Sequence, residues 1–156
     1  MRLLNHKNEQ AVSAALLALR TIIGIVFVAH GAQKLFAYGI DGVTAGFGQM
    51  GIPAPALAAT LVAFGELLGG AALLAGVLTR VAAAGLAVIM LGATLLAHLP
   101  NGFFAPDGVE FTLSLFSAAI VLALAGPGKW SVDALIAERR APALVETDRT
   151  PARKAA

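Results

Sequence analysis

The sequence predicts an all-α integral membrane protein, a bundle of four transmembrane helices with both termini in the cytoplasm. Three observations predict it. Of the 156 residues, 58% are hydrophobic and 13% charged, against roughly 45–50% and about 25% in soluble domains; the mean hydropathy is +0.82. Between Gln10 and Lys129 the only acidic or basic residues are Arg20, Lys34, Asp41, Glu66, Arg80, Asp107 and Glu110. That sparsely charged stretch divides into apolar segments of membrane-spanning length. The composition excludes a disordered chain and a disulfide-stapled secreted module, and it argues against a soluble enzyme domain.

The four segments are Ser13–Phe36, Pro55–Leu78, Val81–His98 and Val109–Ala125, each close to the roughly 17–25 residues that cross a hydrocarbon core as a helix. A spanning segment must satisfy its own backbone hydrogen bonds, and nothing here alternates at period two like a barrel strand. Between the first two spans, Val43, Phe47 and Met50 recur at helical spacing and predict a short interfacial helix. Pro53 and Pro55 open the second span where a helix tolerates proline. Leu78-Thr79-Arg80-Val81 is a short turn, so spans two and three form an antiparallel hairpin. Pro100-Asn101-Gly102 closes span three, and Gly126-Pro127-Gly128 closes span four before Lys129 and Trp130, residues that anchor at an interface. Ser131 then caps a short helix over 131–140 that begins with Asp133 and ends in Arg139-Arg140. The organisation is therefore a cytoplasmic N-terminus (1–12), a four-span domain (13–130), the short cytoplasmic helix (131–140) and a disordered basic tail (141–156).

Charge placement sets the orientation. Arg2, Lys7, Arg80, Lys129, Arg139, Arg140, Arg149, Arg153 and Lys154 fall on one side, whereas the opposite loops carry only Lys34 beside Asp41, Asp107 and Glu110. The positive-inside rule puts both termini in the cytoplasm. The basic balance is then a topology and lipid-surface signal, and no nucleic-acid partner is expected. Residues 1–31 also admit a signal-peptide reading ending at Ala29-His30-Gly31; Arg20 within the apolar stretch and three further spans favour a retained helix.

Ionisable groups inside a span cost about 2.5–3.5 kcal/mol each, so each needs a partner or a function. Glu66 lies about 16 Å into span two, Arg20 about 10 Å from one end of span one and His30 about 9 Å from the other. These depths predict a buried Arg20–Glu66 ion pair, either locking two helices together or forming a polar track with His30. Gln33 and Lys34 follow His30 by one turn, His98 ends span three, and Glu110 begins span four. Together His30, Gln33, Lys34, Glu66, His98 and Glu110 define a candidate pocket in the outer leaflet, suited to a quinone carbonyl or an anionic head group. The bland alternative has Lys34 snorkelling and His98 and Glu110 capping helix ends. Haem or metal ranks lower, because each histidine stands alone on its helix; no metal ligands and no catalytic residues are assigned. Zero cysteines exclude dithiol, thiolate-metal and c-type haem chemistry. Gly65, Gly69, Gly70, Gly76, Gly85 and Gly92 predict close helix packing inside the bundle.

The series Arg20, Phe27-x-x-His30-Gly31-x-Gln33-Lys34-Leu35-Phe36, Gly51-Ile52-Pro53-x-Pro55, Glu66-x-x-Gly69-Gly70, Thr79-Arg80, His98-x-x-x-Gly102-Phe103-Phe104, Glu110 and Gly126-Pro127-Gly128 with Ser131-x-Asp133 resembles the DoxX family of small bacterial membrane proteins. Val109 departs from the glycine expected before the glutamate. The resemblance implies a four-helix inner-membrane protein, and it places the six pocket residues on the family's motif positions. It further implies a membrane subunit of a quinone-linked oxidoreductase or redox-stress system, an oxidoreductase subunit if the chain is catalytic at all. The expected partners are membrane lipid, a quinone, a soluble oxidoreductase and a second copy of the chain. The alternatives are a non-catalytic scaffold docking a soluble partner through Arg139, Arg140, Arg149, Arg153 and Lys154, or a small transporter or proton path along Arg20, Glu66 and His30.

Overall fold

The computed structural model describes residues 2–147, with side chains described for residues 8–140. Helix α1 (Arg2–Ala32) starts well before the apolar stretch and ends in a widened turn over Gln33–Ala37, where the Tyr38 amide reaches back five residues to the Gln33 carbonyl at 3.1 Å. The chain then turns into α2 (Gly39–Gln49), whose Val43 is buried. This is the short helix that the Val43-Phe47-Met50 spacing predicts. Pro55 opens α3 (Pro55–Ala75), which ends at Gly76 in the left-handed conformation, φ +67°. The tight turn feeds α4 (Thr79–Gly92), which runs on through a second widened turn (Ala93–His98) and a 3-10 turn (Leu99–Asn101). Helix α5 (Glu110–Ala125) and helix α6 (Val132–Thr147) complete the described chain.

All elements among the described residues are helical. Three stretches, Asn8–Ala37, Pro55–Ala75 and Thr79–Asn101, are long and apolar enough to cross a membrane. Helix α5 is equally apolar, but its 16 residues extend only about 24 Å. Large side chains on the outside of the bundle are apolar as well, including Ile22, Leu68, Val81, Val88 and Leu124. Continuous apolar exposure of this kind marks a lipid-facing surface. The helix expected over 131–140 instead runs Val132–Thr147, through Pro142; the remainder of the expected tail, 148–156, lies outside the described residues.

Packing is pairwise. Helix α1 lies along α3, α4 lies along α5, and α3 adjoins α4 through the turn between them. The core between them is built from Phe27, Leu73, Leu86, Ala119 and Leu122, each almost fully buried. The α1–α3 crossing is backbone against backbone. A Cβ on Gly70 would stand 2.7 Å from the Val28 nitrogen and 2.8 Å from the Gly24 carbonyl oxygen, and one on Gly31 2.8 Å from the Leu67 Cα. Gly65 and Gly69 receive the Ile89 and Leu86 side chains of α4. Gly85 and Gly92, expected inside the bundle, face open space: a Cβ on either would meet no heavy atom within 4 Å. Small residues thus permit close approach only where a helix happens to lie opposite.

Candidate functional site

Two polar centres occupy opposite ends of the bundle. At the end carrying α6, the buried Arg20 guanidinium donates to the Leu73 carbonyl at 2.9 Å, to the Leu74 carbonyl at 3.1 Å and to the Trp130 carbonyl. It thereby caps the C-terminus of α3, where a cation meets the negative end of the helix dipole. The Asp133 carboxylate does the converse for α4, accepting from the Leu78 and Thr79 amides at 2.8 and 2.9 Å. The Asp133 amide donates to the Gly76 carbonyl at 2.9 Å, and Ser131 caps α6 through the Ala134 amide at 3.1 Å. Burial pushes the Asp133 carboxyl up, but the backbone bonds from Thr79 and Leu78 and the Arg20 charge outweigh it and hold it below the ordinary carboxylate range. This is a latch joining α1, the α3–α4 turn and α6.

The latch corrects the expected Arg20–Glu66 pair. The backbone crossing at Gly24, Gly31 and Gly70 sets the antiparallel register of α1 against α3. In that register Arg20 stands level with Leu73 and Leu74, while Glu66 stands near His30. Ten residues of helix, about 15 Å, separate Arg20 from the level of His30, beyond the reach of a guanidinium. Glu66 instead pairs with Lys34, Nζ to Oε2 at 2.5 Å, with the two side chains 17% and 4% exposed. Lys34 follows His30 by four residues on the same helix face. The expected Arg20–Glu66–His30 track therefore has no Arg20 in it.

The Lys34–Glu66 pair forms part of the wall of a cavity of about 540 Å³ at the α2 end. Its inner wall is buried: Phe27 from α1, Met90 from α4, and Thr112 and Leu115 from α5. Phe47 and Met50, with Ile52, close it from the α2 side. His30 and His98 also line it. Among the described residues the His30 ring nitrogens have no hydrogen-bond partner; the ring leans on Phe111, centroids 5.8 Å apart at 45°. The His98 Nδ1 lies 2.8 Å from the Asp107 carbonyl. A carbonyl only accepts, so Nδ1 carries a proton and donates, and Nε2 is an acceptor whenever the ring is neutral. Both widened turns, Gln33–Ala37 and Ala93–His98, adjoin this cavity, and such turns recur at functional sites.

Of the six expected pocket residues, four line the cavity: His30, Lys34, Glu66 and His98. Gln33 is exposed and lies off the wall. Glu110 also lies off it, its Oε1 accepting from the Ala105 amide at 2.8 Å and bracing the loop before α5. Sequence reasoning missed Thr112, which accepts from Thr94 at 2.9 Å on the wall, and the apolar lining from α3 and α4. Such residues carry no local signal in a chain that is apolar throughout. Among the described residues no group of three or more His, Asp or Glu side chains is placed to hold a metal ion.

A helical bundle with a lipid-type exterior, enclosing a largely apolar cavity with one ion pair and two histidines on its wall, defines a membrane protein with an internal cavity. The DoxX family profile matches residues 15–99, and the chain belongs to the DoxX family. It is 35% identical over 149 residues to "Uncharacterized membrane protein Rv3486" of Mycobacterium tuberculosis, covering 88% of each chain. It is 32% identical over 120 residues to "Putative oxidoreductase CatD" of Bacillus subtilis, covering 77% of this chain and 85% of that one. No solved structure matches it.

Proposed function

We propose that the cavity binds a quinone-type carrier and that the chain serves as the membrane subunit of a redox system. Its carrying observation is the Lys34–Glu66 pair with His30 and His98 on the wall of an otherwise apolar cavity. A quinone has the matching chemistry: carbonyls that accept from an ammonium or imidazole N–H, hydroxyls in the reduced form that donate to the His98 Nε2, and a flat apolar ring. The cavity volume falls within the roughly 300–1,000 Å³ usual for small-ligand sites. The oxidoreductase name of the Bacillus subtilis relative supports the same reading. In this reading α5 is a fourth crossing, both termini face the cytoplasm of the bacterial inner membrane, and the cavity lies in the outer leaflet, as the basic residues Arg80, Lys129, Arg139 and Arg140 on the latch side support.

The test is equilibrium quinone binding to the purified protein in lipid nanodiscs, followed by thermal stabilisation and by extraction of bound quinone. His30→Ala and Glu66→Gln should each weaken binding at least tenfold. Parent-like binding by both variants would overturn the reading.

A further inference from the structure

The cavity is closed on one side and open on another, and the open side has a definite chemistry. Helices α3 and α4 are zipped together in the half nearer their turn, where Leu86 packs on Gly69 and Ile89 packs on Gly65. Beyond that point the cavity reaches between them. Its lining there includes Leu61 and Val62 on α3, and Gly92 and Leu96 on α4, with Val88 on α4 level with the last packed pair. Leu61, Val88 and Leu96 are each more than half exposed on the outside of the bundle, although they also line the cavity. Other lining residues show the contrast: Phe27 on α1 is 1% exposed, and Met90 on the inward face of α4 is 4% exposed. Gly92 lines the cavity, and a Cβ there would meet no heavy atom within 4 Å.

The rim is wholly apolar, and it lies at hydrocarbon depth. Gly92 is thirteen residues along α4 from Thr79, about 20 Å of helix, inside a core of about 30 Å. An opening to water at that depth would need polar groups around it, and this one has none. The polar groups of the lining are elsewhere on its wall, at Lys34, Glu66, His30 and His98.

We propose that the cavity is loaded sideways from the bilayer through the gap between α3 and α4, and that its ligand is tailed, with a polar head at Lys34–Glu66 and an apolar chain lying across Gly92. The inference rests on the binding-site reading above and deepens it: the ligand class is a membrane-dissolved amphiphile, and small water-soluble redox compounds are disfavoured. Gly92 acts as the threshold, because any larger side chain there projects into the opening.

A photoreactive lipid tests the route without assuming a quinone. Protein in nanodiscs containing phosphatidylcholine with a diazirine on one acyl chain is irradiated, and adducts are mapped by mass spectrometry. Lipid outside the bundle reaches the exposed Val88 in any case, whereas the buried Phe27 and Met90 meet it, on this proposal, through the gap. The expected result is adducts on Phe27 and Met90 in the parent, reduced at least fivefold in Gly92→Leu while Val88 labelling persists. No adduct on either residue, or equal labelling in Gly92→Leu, would overturn the proposal. A second arm compares tailless and decyl quinones, with affinity expressed per mole fraction in lipid so that membrane partitioning cancels. A tail that tightens parent binding at least tenfold, with the gain reduced in Gly92→Leu, supports the portal. Adducts without any quinone binding would keep the portal and remove the quinone. Quinone binding without a tail gain and without adducts would keep the quinone and remove the portal.

Discussion

The two ends of the bundle hold similar polar groups and use them in opposite ways. At the latch, Arg20 and Asp133 are directed at the backbone: the cation covers carbonyls at the end of α3, and the anion covers amides at the start of α4. Both charges lie where the helix dipoles favour them, and the bonds are internal to the chain. At the cavity, Lys34 and Glu66 face each other, and His30 and the His98 Nε2 keep hydrogen-bonding capacity that nothing in the described chain uses. A polar group bonded to a helix end holds the fold; one facing a void is available to a ligand. The distinction is one of partners, because the residue types are nearly the same.

Substitution can break the contrast between the two ends. The largest effect is expected from Arg20→Ala, which leaves the Leu73, Leu74 and Trp130 carbonyls uncovered and Asp133 without its cation. The loss should be about 3–5 kcal/mol, read as a large drop in the thermal midpoint in detergent. A midpoint close to the parent's would mean that the latch holds nothing together.

Asp133→Asn is the milder break, since an amide oxygen can still accept from Leu78 or Thr79 but brings no charge. It should cost about 0.5–2 kcal/mol, as loss of a helix cap does. The sign of its pH dependence follows from the lowered carboxyl. The stabilisation from Asp133 is complete above its unfolded value of about 3.9 and is lost as pH falls below that toward the lowered folded value. Unfolding measured from pH 6 to pH 3 should therefore lose part of its acid slope in Asp133→Asn. An unchanged slope would place the titrating group elsewhere.

The smallest change in stability belongs to the cavity. Replacing both members of its ion pair, Lys34→Met with Glu66→Gln, removes two charges from an apolar wall without leaving one unpaired. Stability should stay within about 1 kcal/mol of the parent or rise, while quinone binding falls at least tenfold. A double variant that unfolds easily yet binds normally would reverse the roles assigned to the two ends.

Much of this molecule is legible in the sequence. The scarcity of charge marks the apolar helices, and the Val43-Phe47-Met50 spacing marks α2. The Leu78-Thr79-Arg80-Val81 turn and the Ser131 cap are local signals, and each forms near where it is expected, whereas Gly76, expected to serve close packing, ends α3. The site is legible in part. His30, Lys34, Glu66 and His98 stand out as costly polar residues and do share one cavity, whereas Gln33 and Glu110 are near it only along the chain and lie off its wall. The Arg20–Glu66 pair does not form because depth counted from the apparent start of each span says nothing of register. The crossing of Gly24 on Gly70 and of Gly31 on Leu67 slides α1 along α3 by more than that count allows.

The sequence by itself determined the solvent and the elements: a chain this apolar and this poor in charge belongs in lipid, and in lipid a backbone satisfies itself by forming helices. Tertiary structure decided which charges meet and where the helices part. Register between two helices depends on contacts between residues about forty positions apart, and a one-turn slide moves every partner by about 5 Å. No local pattern encodes that distance, so the latch, the cavity and the opening beside Gly92 exist only once the helices are packed.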